Sequence, residues 1–255
     1  MGRERYVVFC ATQRTGSTLI YDDIRNLMGY PITDSERLYI EVIRGRSTKP
    51  WVEIIEGLRA DNSVHDLVMA KVMFHYTPYL SAAIAGLAIG ETPPIYRFES
   101  AEFDPFYNFF RDAIWVYIGR NDVYSQAVSM YFAETTDVWH RWEISAETDS
   151  AFTPRGAYDR ARMLRYLENL MTERDCWQLF FNCYGITPIR LSYEDAISGY
   201  PAYLDEFLSV AGLSPQSPPP SRRMAKVGDA MNAEFARLLR EDARVALCER
   251  QPADS

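Results

Sequence analysis

The sequence predicts an α/β protein whose central parallel sheet is flanked by helices. Short apolar runs rich in β-branched and aromatic residues recur along the chain and alternate with segments of helical periodicity. This alternation is typical of parallel sheets covered on both faces. A polar turn that contains one glycine follows the first run directly, so the architecture is expected to be P-loop-like, with three layers. The 255 residues are enough for one such domain.

Four segments are expected to form the strands, and helical patterns separate them. The strand segments are residues 6–10, 66–73, 113–118 and 187–191. The first of them is followed by a helix whose apolar face includes Leu19 and Ile24. Right-handed crossovers place the carboxyl ends of the strands at one edge, where open α/β sheets bind ligands. The other predicted helices cover residues 51–60, 78–89, 122–135, 157–183, 201–211 and 228–243.

Residues 1–255 are expected to form a single domain. Residues 214–221 read SPQSPPPS and predict an extended, proline-rich linker to a C-terminal helix. The last five residues, 251–255, are expected to be disordered.

The charge balance and the apolar patterning exclude some classes of function. The chain has 27 basic and 35 acidic residues and a net charge of −8, which argues against general nucleic-acid binding. The most apolar region, residues 79–89, is too short to span a bilayer, and no secretory leader is recognisable. The four cysteines form no CxxC pair and no HExxH is present. We therefore expect a cytoplasmic protein with no metal, nucleic-acid or membrane partner.

The turn after the first strand has the strongest functional signal. Residues 10–19 read CATQRTGSTL and lie where a strand ends and a helix begins, so free amide groups and the helix dipole attract an anion. Gly16 lets the backbone approach a phosphate closely, and Arg14 adds a fixed, planar charge. An ordinary helix start capped by Thr15 is the alternative. Hydroxyl groups are added by Thr15, Ser17 and Thr18.

The turn matches the nucleotide P-loop G-x-x-x-x-G-K-[ST] only in part. Ala11 stands at the first glycine and Ser17 at the lysine, while the basic residue, Arg14, precedes Gly16. These differences disfavour ATP hydrolysis, and a P-loop-type nucleotide kinase is kept as an alternative.

A second strand–turn–helix segment is found at residues 113–142. Arg120 ends the strand, Asp122 is expected to cap the helix, and Ser125 and Ser129 lie one turn apart on one helix face. An arginine at the strand end and a serine on the next helix can hold a second phosphate. A helix cap followed by two surface serines is the alternative.

Together the two segments resemble the sulfotransferase family, and in particular its bacterial branch typified by trehalose 2-sulfotransferase. That branch has a loop similar to SQRSGSTLL, a strand with lysine and methionine before a histidine, and a QAVS motif followed by a Trp-His pair. Residues 193–195 are also similar to the family's YED motif. The matching stretches here are TQRTGSTLI at 12–20, KVMFH at 71–75, QAVS at 126–129 and WH at 139–140.

The resemblance implies transfer of a sulfuryl group from PAPS (3′-phosphoadenylyl sulfate) to a hydroxyl of a small carbohydrate or glycosylated metabolite. It also implies a homodimer, because relatives in this branch form dimers. The resemblance implies that Arg120 and Ser129 bind the 3′-phosphate, and Ser125 is the alternative to Ser129. A late basic cluster of Arg222, Arg223 and Lys226 is a candidate for binding the adenosine end of PAPS, or else a solvated basic patch. The residues implied for the 5′-phosphosulfate are Arg14, Thr15, Gly16, Ser17 and Thr18.

The acceptor hydroxyl needs a base, because it loses its proton as the sulfuryl group arrives. By resemblance to the glutamate segment of the bacterial branch, Glu36 is the candidate, and a surface carboxylate at a helix start is the competing interpretation. His75 and His140 are the alternative bases. Arg14 is expected to stabilise the leaving phosphate oxygen. Because residues 30–36 depart from the family pattern, a non-catalytic PAPS-binding relative stays a further alternative.

Overall fold

A computed structural model describes residues 5–29, 36–45, 48–64, 66–139, 157–215, 219–222 and 230–249. Two compact units make up the chain, and the boundary between them falls directly after Arg120. The expected single domain stays a prediction, and residues 251–255 lie outside the described part. The first unit consists of Met1–Arg120 and Thr172–Ser221, and the second of Asn121–Met171 and Arg222–Ser255.

The first unit contains a sheet of five strands: β1 (Arg5–Ala11), β2 (Ser63–Val64), β3 (Leu67–Met73), β4 (Ile114–Gly119) and β5 (Ile189–Ser192). Their order in the sheet is β2-β3-β1-β4-β5. Strands β1, β3, β4 and β5 run parallel, while the two-residue β2 pairs antiparallel with β3. The predicted parallel sheet is therefore confirmed, and β2 is too short to have a sequence pattern of its own.

Strand β1 lies at the centre of the sheet, and its carboxyl end adjoins those of β3 and β4. Phe9 pairs with Lys71 on one side and with Val116 on the other. Every residue of β3 is buried, as are residues 7–11 of β1, because a parallel sheet is covered on both faces. At the end of the strand, Ala11 lies opposite Met73 and Ile118. Turns that follow these strands are therefore brought to one edge.

The helices of the first unit confirm most of the predicted pattern and add two helices to it. The helices at Ser100–Phe110 and Tyr193–Gly199 were not predicted, because Pro105 interrupts the interior of the first and the second is only seven residues long. A π-helix, Tyr39–Arg44, was not predicted either. The helices are α1 (Ser17–Leu27), α2 (Trp51–Asn62), α3 (Thr77–Ile84), α4 (Ser100–Phe110), α7 (Tyr193–Gly199) and α8 (Asp205–Ala211).

The second unit is built from helices α5 (Val123–Thr136) and α9 (Ala230–Glu249) and the first half of α6 (Arg160–Cys183). Apolar side chains of all three helices form its core, among them Val128, Met163 and Leu239. As predicted, Asp122 caps α5. No helix in the described part of the chain is both long enough and apolar enough to cross a membrane.

Candidate active site

The loop between β1 and α1 has an unusual backbone at two positions. Arg14 has φ 62° and Gly16 has φ 77°, both in the left-handed region. Arginine rarely adopts this conformation, and such strain persists where function requires it. Helix α1 then starts with no side-chain cap and no acidic residue in its first turn. Its first amide groups have no partner inside the helix and face the position where an anion binds to a helix N-terminus.

Thr15 does not cap α1, so that alternative is wrong. Its hydroxyl donates to the Thr12 carbonyl oxygen at 2.9 Å, and both side chains are buried. This bond closes the loop on itself. At the preceding strand end, the indole N–H of the fully buried Trp177 donates to the Ala11 carbonyl oxygen at 2.8 Å. The loop is therefore held at both ends by buried hydrogen bonds.

Arg120 and Arg14 lie side by side, although they belong to separate turns. The Nη1 of Arg120 donates a long hydrogen bond of 3.4 Å to the Arg14 carbonyl oxygen. Burial, and next the charge of Arg120, lower the pKa of Arg14 to about 10, while Tyr193 acts in the opposite direction. Two like charges placed together in a partly buried position repel each other, and a bound anion relieves that repulsion.

Tyr193, the first residue of α7, connects the two turns. Its ring lies under the Arg120 guanidinium, with 4.4 Å between the Cζ atom and the ring centroid. On the loop side, a Cβ built on Gly16 would lie 2.5 Å from the Cδ2 atom of the same ring. The tyrosine thus places the arginine by a cation–π contact and leaves room at position 16 only for glycine.

Glu36 is not a plain surface carboxylate, because it forms an ion pair with Lys71. The lysine side chain is fully buried, and that of Glu36 is 28% exposed. The Nζ of Lys71 also donates to the Thr18 hydroxyl at 2.9 Å. The predicted base and a predicted donor-loop residue therefore contact the same ammonium group.

Tyr76 lies close to Glu36 and packs against a second tyrosine. Tyr39, in the π-helix, packs against Tyr76 with 5.4 Å between ring centroids. Burial raises the pKa of Tyr76 well above its usual value, and the neighbouring Glu36 charge raises it further. The Tyr76 phenol is therefore close enough to Glu36 to be influenced by its charge.

His75 is held in a buried pair of its own. Its Nδ1 atom lies 3.4 Å from the Oε2 atom of Glu173, and both side chains are buried. The other predicted alternative base, His140, lies outside the described residues.

The residues predicted for the 3′-phosphate and the adenosine end fall into separate parts of the chain. Arg120 is in the first unit, whereas Ser129 is on α5 in the second. The reserve candidate Ser125 is engaged with the α5 cap, because its amide and its hydroxyl both bond Asp122. Of the late basic cluster, Lys226 and Arg223 lie outside the described residues, so these assignments stay predictions.

Sequence reasoning missed the contacts made by three side chains near the site. Tyr193 and Lys71 were recognised only as letters of family motifs, and Glu173 was not singled out. The sequence could have indicated a special role for Lys71, since it is the one charged residue in an otherwise apolar strand, LVMAKVM. Nothing in the sequence indicated a buried role for Glu173, because an acidic residue in a long helix is usually exposed.

The fold is that of an α/β protein with a P-loop-like turn after β1, in which Ser17 stands at the position of the P-loop lysine and Arg14 precedes Gly16. A family profile described as Stf0 sulphotransferase matches residues 45–242. The chain belongs to the Stf0 sulphotransferase family.

Individual proteins share less than a third of their residues with this chain over the matched regions. Trehalose 2-sulfotransferase of Mycobacterium tuberculosis (strain ATCC 35801 / TMC 107 / Erdman) is 29% identical over 108 residues, which are 42% of this chain and 39% of that protein. The match thus spans well under half of the curated relative. A sulfotransferase from Alicyclobacillus acidocaldarius is 15% identical, with TM-score 0.45 and coverage of 99% of this chain and 98% of that one. The sulfotransferase domain of the Synechococcus PCC 7002 olefin synthase is 12% identical, with TM-score 0.43 and coverage of 99% and 97%.

Proposed function

We propose that this chain is a PAPS-dependent sulfotransferase that acts on a hydroxyl of a small carbohydrate or glycosylated metabolite. The observation that supports this most is the placement of Arg14 and Arg120 together beside the N-terminus of α1. PAPS has two separate anionic groups, a 5′-phosphosulfate and a 3′-phosphate. Two adjacent guanidinium groups and a set of helix amides match that charge distribution.

The loop residues suit the phosphosulfate end of the donor. In this proposal the α1 amide groups and the hydroxyls of Ser17 and Thr18 bind its oxygens, and Arg14 stabilises charge on the leaving phosphate. Arg120, which packs on the Tyr193 ring, binds the 3′-phosphate. The absence of a side chain at Gly16 lets the donor approach the backbone.

Glu36 accepts the acceptor proton in this scheme. As the acceptor oxygen bonds to sulfur, its proton passes to the Glu36 carboxylate. PAPS, when bound, supplies the sulfuryl group, and the bond from sulfur to the bridging oxygen breaks with its electron pair on the 5′-phosphate, which gives adenosine 3′,5′-bisphosphate. Positioning and electrostatics supply most of the rate enhancement for such group transfers.

The surroundings of Glu36 support a hydroxylated acceptor. The Tyr76 side chain lies close to the carboxylate and packs against the ring of Tyr39, and tyrosine rings offer a ligand both an apolar face and a polar hydroxyl. The relative named trehalose 2-sulfotransferase makes trehalose the first acceptor to test. A homodimer, which rests on the family resemblance alone, completes the proposal, and the cytoplasmic location stays the expectation drawn from the sequence.

Transfer from radiolabelled PAPS tests this function. Purified protein is incubated with PAPS and a panel of small sugars that begins with trehalose, and sulfated product and adenosine 3′,5′-bisphosphate are measured together. We expect the two products in equal amounts. Light scattering of the same sample tests the dimer. Transfer from Mg·ATP, or no use of PAPS with any sugar, would contradict the proposal.

A further inference from the structure

Lys71 has a fully buried ammonium group at the carboxyl end of β3. It contacts the Glu36 carboxylate and donates to the Thr18 hydroxyl at 2.9 Å. The inference drawn from it rests on the proposed function, because these two partners are the proposed base and a proposed donor-loop residue.

A lysine at this position is costly for the fold. Taking an ammonium group out of water is strongly unfavourable even after relaxation, and the other six residues of β3 are buried and apolar. An apolar side chain would continue this pattern at no such cost. Departures from a consistent pattern are expected where function requires them.

We propose that Lys71 is a positioning residue that holds Glu36 beside the donor loop and keeps a fixed positive charge between them. It acts through its two partners and requires no contact with either substrate. Lys71 extends from β3 to the first turn of α1, where it contacts Thr18. Because it also contacts Glu36, it connects the proposed acceptor side of the site with the proposed donor side.

The movement of charge during transfer explains why an ammonium group belongs at this point. Glu36 loses its negative charge when it takes the acceptor proton. The 5′-phosphate at the donor loop gains a negative charge when its bond to sulfur breaks. A cation fixed between these two places has a negative partner before and after the reaction, so the site needs little reorganisation as the charge moves.

A purely structural ion pair is the competing explanation. In that case Lys71 only fastens the segment around Glu36 to the sheet, and its removal affects folding and donor binding along with turnover. The positioning role differs, because it affects turnover through Glu36 and leaves the Arg14 and Arg120 contacts to the donor intact.

The Lys71→Met variant separates these explanations, since methionine keeps a similar length without the charge. We expect kcat to fall roughly a hundredfold, as for impaired proton transfer, while affinity for adenosine 3′,5′-bisphosphate changes far less. Lys49→Met is the matched control, because Lys49 also pairs with a glutamate, Glu41 at 3.1 Å, but is 52% exposed. It should retain full turnover. Lys71→Gln serves the same measurement if the methionine variant does not fold.

A double-mutant cycle gives the decisive readout. On a Glu36→Gln background, Lys71→Met should cost much less turnover than it does in the wild-type chain, because the part of its effect that acts through the carboxylate is already lost and only the part at the donor loop remains. Glu36→Gln leaves the buried ammonium without its counter-charge. The double variant should therefore melt at a higher temperature than Glu36→Gln alone.

The outcomes distinguish this inference from the proposed function. If the wild-type chain uses no PAPS, the proposed function and this inference fall together. If the wild-type chain transfers sulfate and Lys71→Met retains full kcat, only the inference is overturned. Equal losses of kcat on both backgrounds, or a loss of bisphosphate affinity that matches the loss of kcat, would also overturn it in favour of a structural role.

Discussion

Gly16 lies so close to Tyr193 that a Cβ at position 16 would be 2.5 Å from the Cδ2 atom of the ring. The same glycine has φ 77°, where a side chain is strained whatever the space around it. Gly86 has a similar φ of 71°, but a Cβ there would meet nothing within 4 Å. An alanine at position 86 would therefore have the cost of backbone strain alone. An alanine at position 16 would have that cost and also the cost of a steric clash with Tyr193.

We predict that Gly16→Ala destabilises the protein more than Gly86→Ala does. The backbone term is about 1–2 kcal/mol at either position, and overpacking against Tyr193 adds about 1–3 kcal/mol at position 16 only. Urea denaturation measures both changes. Because the added methyl group also displaces the tyrosine, Gly16→Ala should weaken binding of adenosine 3′,5′-bisphosphate. Equal losses of stability would mean that the ring moves aside freely.

Arg14 is expected to lower the stability of the free protein while it supports donor binding. Since burial and the Arg120 charge lower its pKa to about 10, its charged form is less favourable in the folded chain than in the unfolded one. At pH 7, Arg14→Met should therefore melt at or above the wild-type temperature. Adenosine 3′,5′-bisphosphate should stabilise the wild type and no longer stabilise the variant. A variant that melts lower and still binds the nucleotide would place Arg14 outside the site.

Arg120 is expected to recognise only the 3′-phosphate. Arg120→Ala should weaken binding of adenosine 3′,5′-bisphosphate roughly tenfold to a hundredfold, as for loss of a charge-assisted contact. Binding of adenosine 5′-phosphate, which lacks that group, should change little. Arg111→Ala is the control, because Arg111 is 66% exposed. Equal losses for both nucleotides in calorimetry would assign Arg120 to the 5′ end.

The base can be identified by comparing Glu36→Gln with His75→Gln. If Glu36 is the base, its variant loses kcat by roughly a hundredfold or more and keeps affinity for PAPS. His75→Gln should keep most of its turnover, because His75 is buried against Glu173 and its loss acts on stability. Steady-state kinetics on both variants at one temperature, well below their melting points, gives the comparison. The opposite ranking would assign the base to His75.

In the second unit, the Asp122 cap gives a pH-dependent prediction. Burial raises the pKa of Asp122, but hydrogen bonds from Ser125 and Arg240 outweigh it, and the net direction is below the ordinary 3.8. Its stabilising contribution is therefore present above pH 3.8 and is lost as the pH falls through the lower folded-state value. Asp122→Ala should cost about 1 kcal/mol at pH 7 and progressively less in acid.

Chemical denaturation across this pH range, with Asp112→Ala as control, measures the Asp122 contribution. Asp112 is 71% exposed and caps no helix, so its replacement should have little effect at any pH. A cost of Asp122→Ala that is the same at pH 3 and pH 7 would contradict the pKa direction.

The parallel sheet and the two strand-end turns could be predicted because each depends on local pattern. Buried strands are continuous apolar runs, and the topology rule that gathers their carboxyl ends needs no side-chain detail. Adjacent turns after β1 and β4 follow from this, and so does the proximity of Arg14 to Arg120.

The contacts around Glu36 could not be predicted from sequence, because they depend on long-range packing. The ion pair with Lys71 joins residues 35 positions apart, and the cation–π contact of Arg120 with Tyr193 joins residues more distant still. The π-helix after Glu36 has no sequence period that we could have recognised. Helix α4 was hidden by Pro105, which normally argues against a helix interior.

The central claim is that the turns led by Arg14 and Arg120 hold the two anionic ends of one nucleotide. Calorimetric titration of the purified chain with adenosine 3′,5′-bisphosphate tests it most directly, with Mg·ATP titrated under the same conditions. We predict one-site binding of the bisphosphate that is tighter than that of Mg·ATP and is lost in the Arg14→Met variant. No heat of binding with the bisphosphate, or tighter binding of Mg·ATP, would contradict the claim.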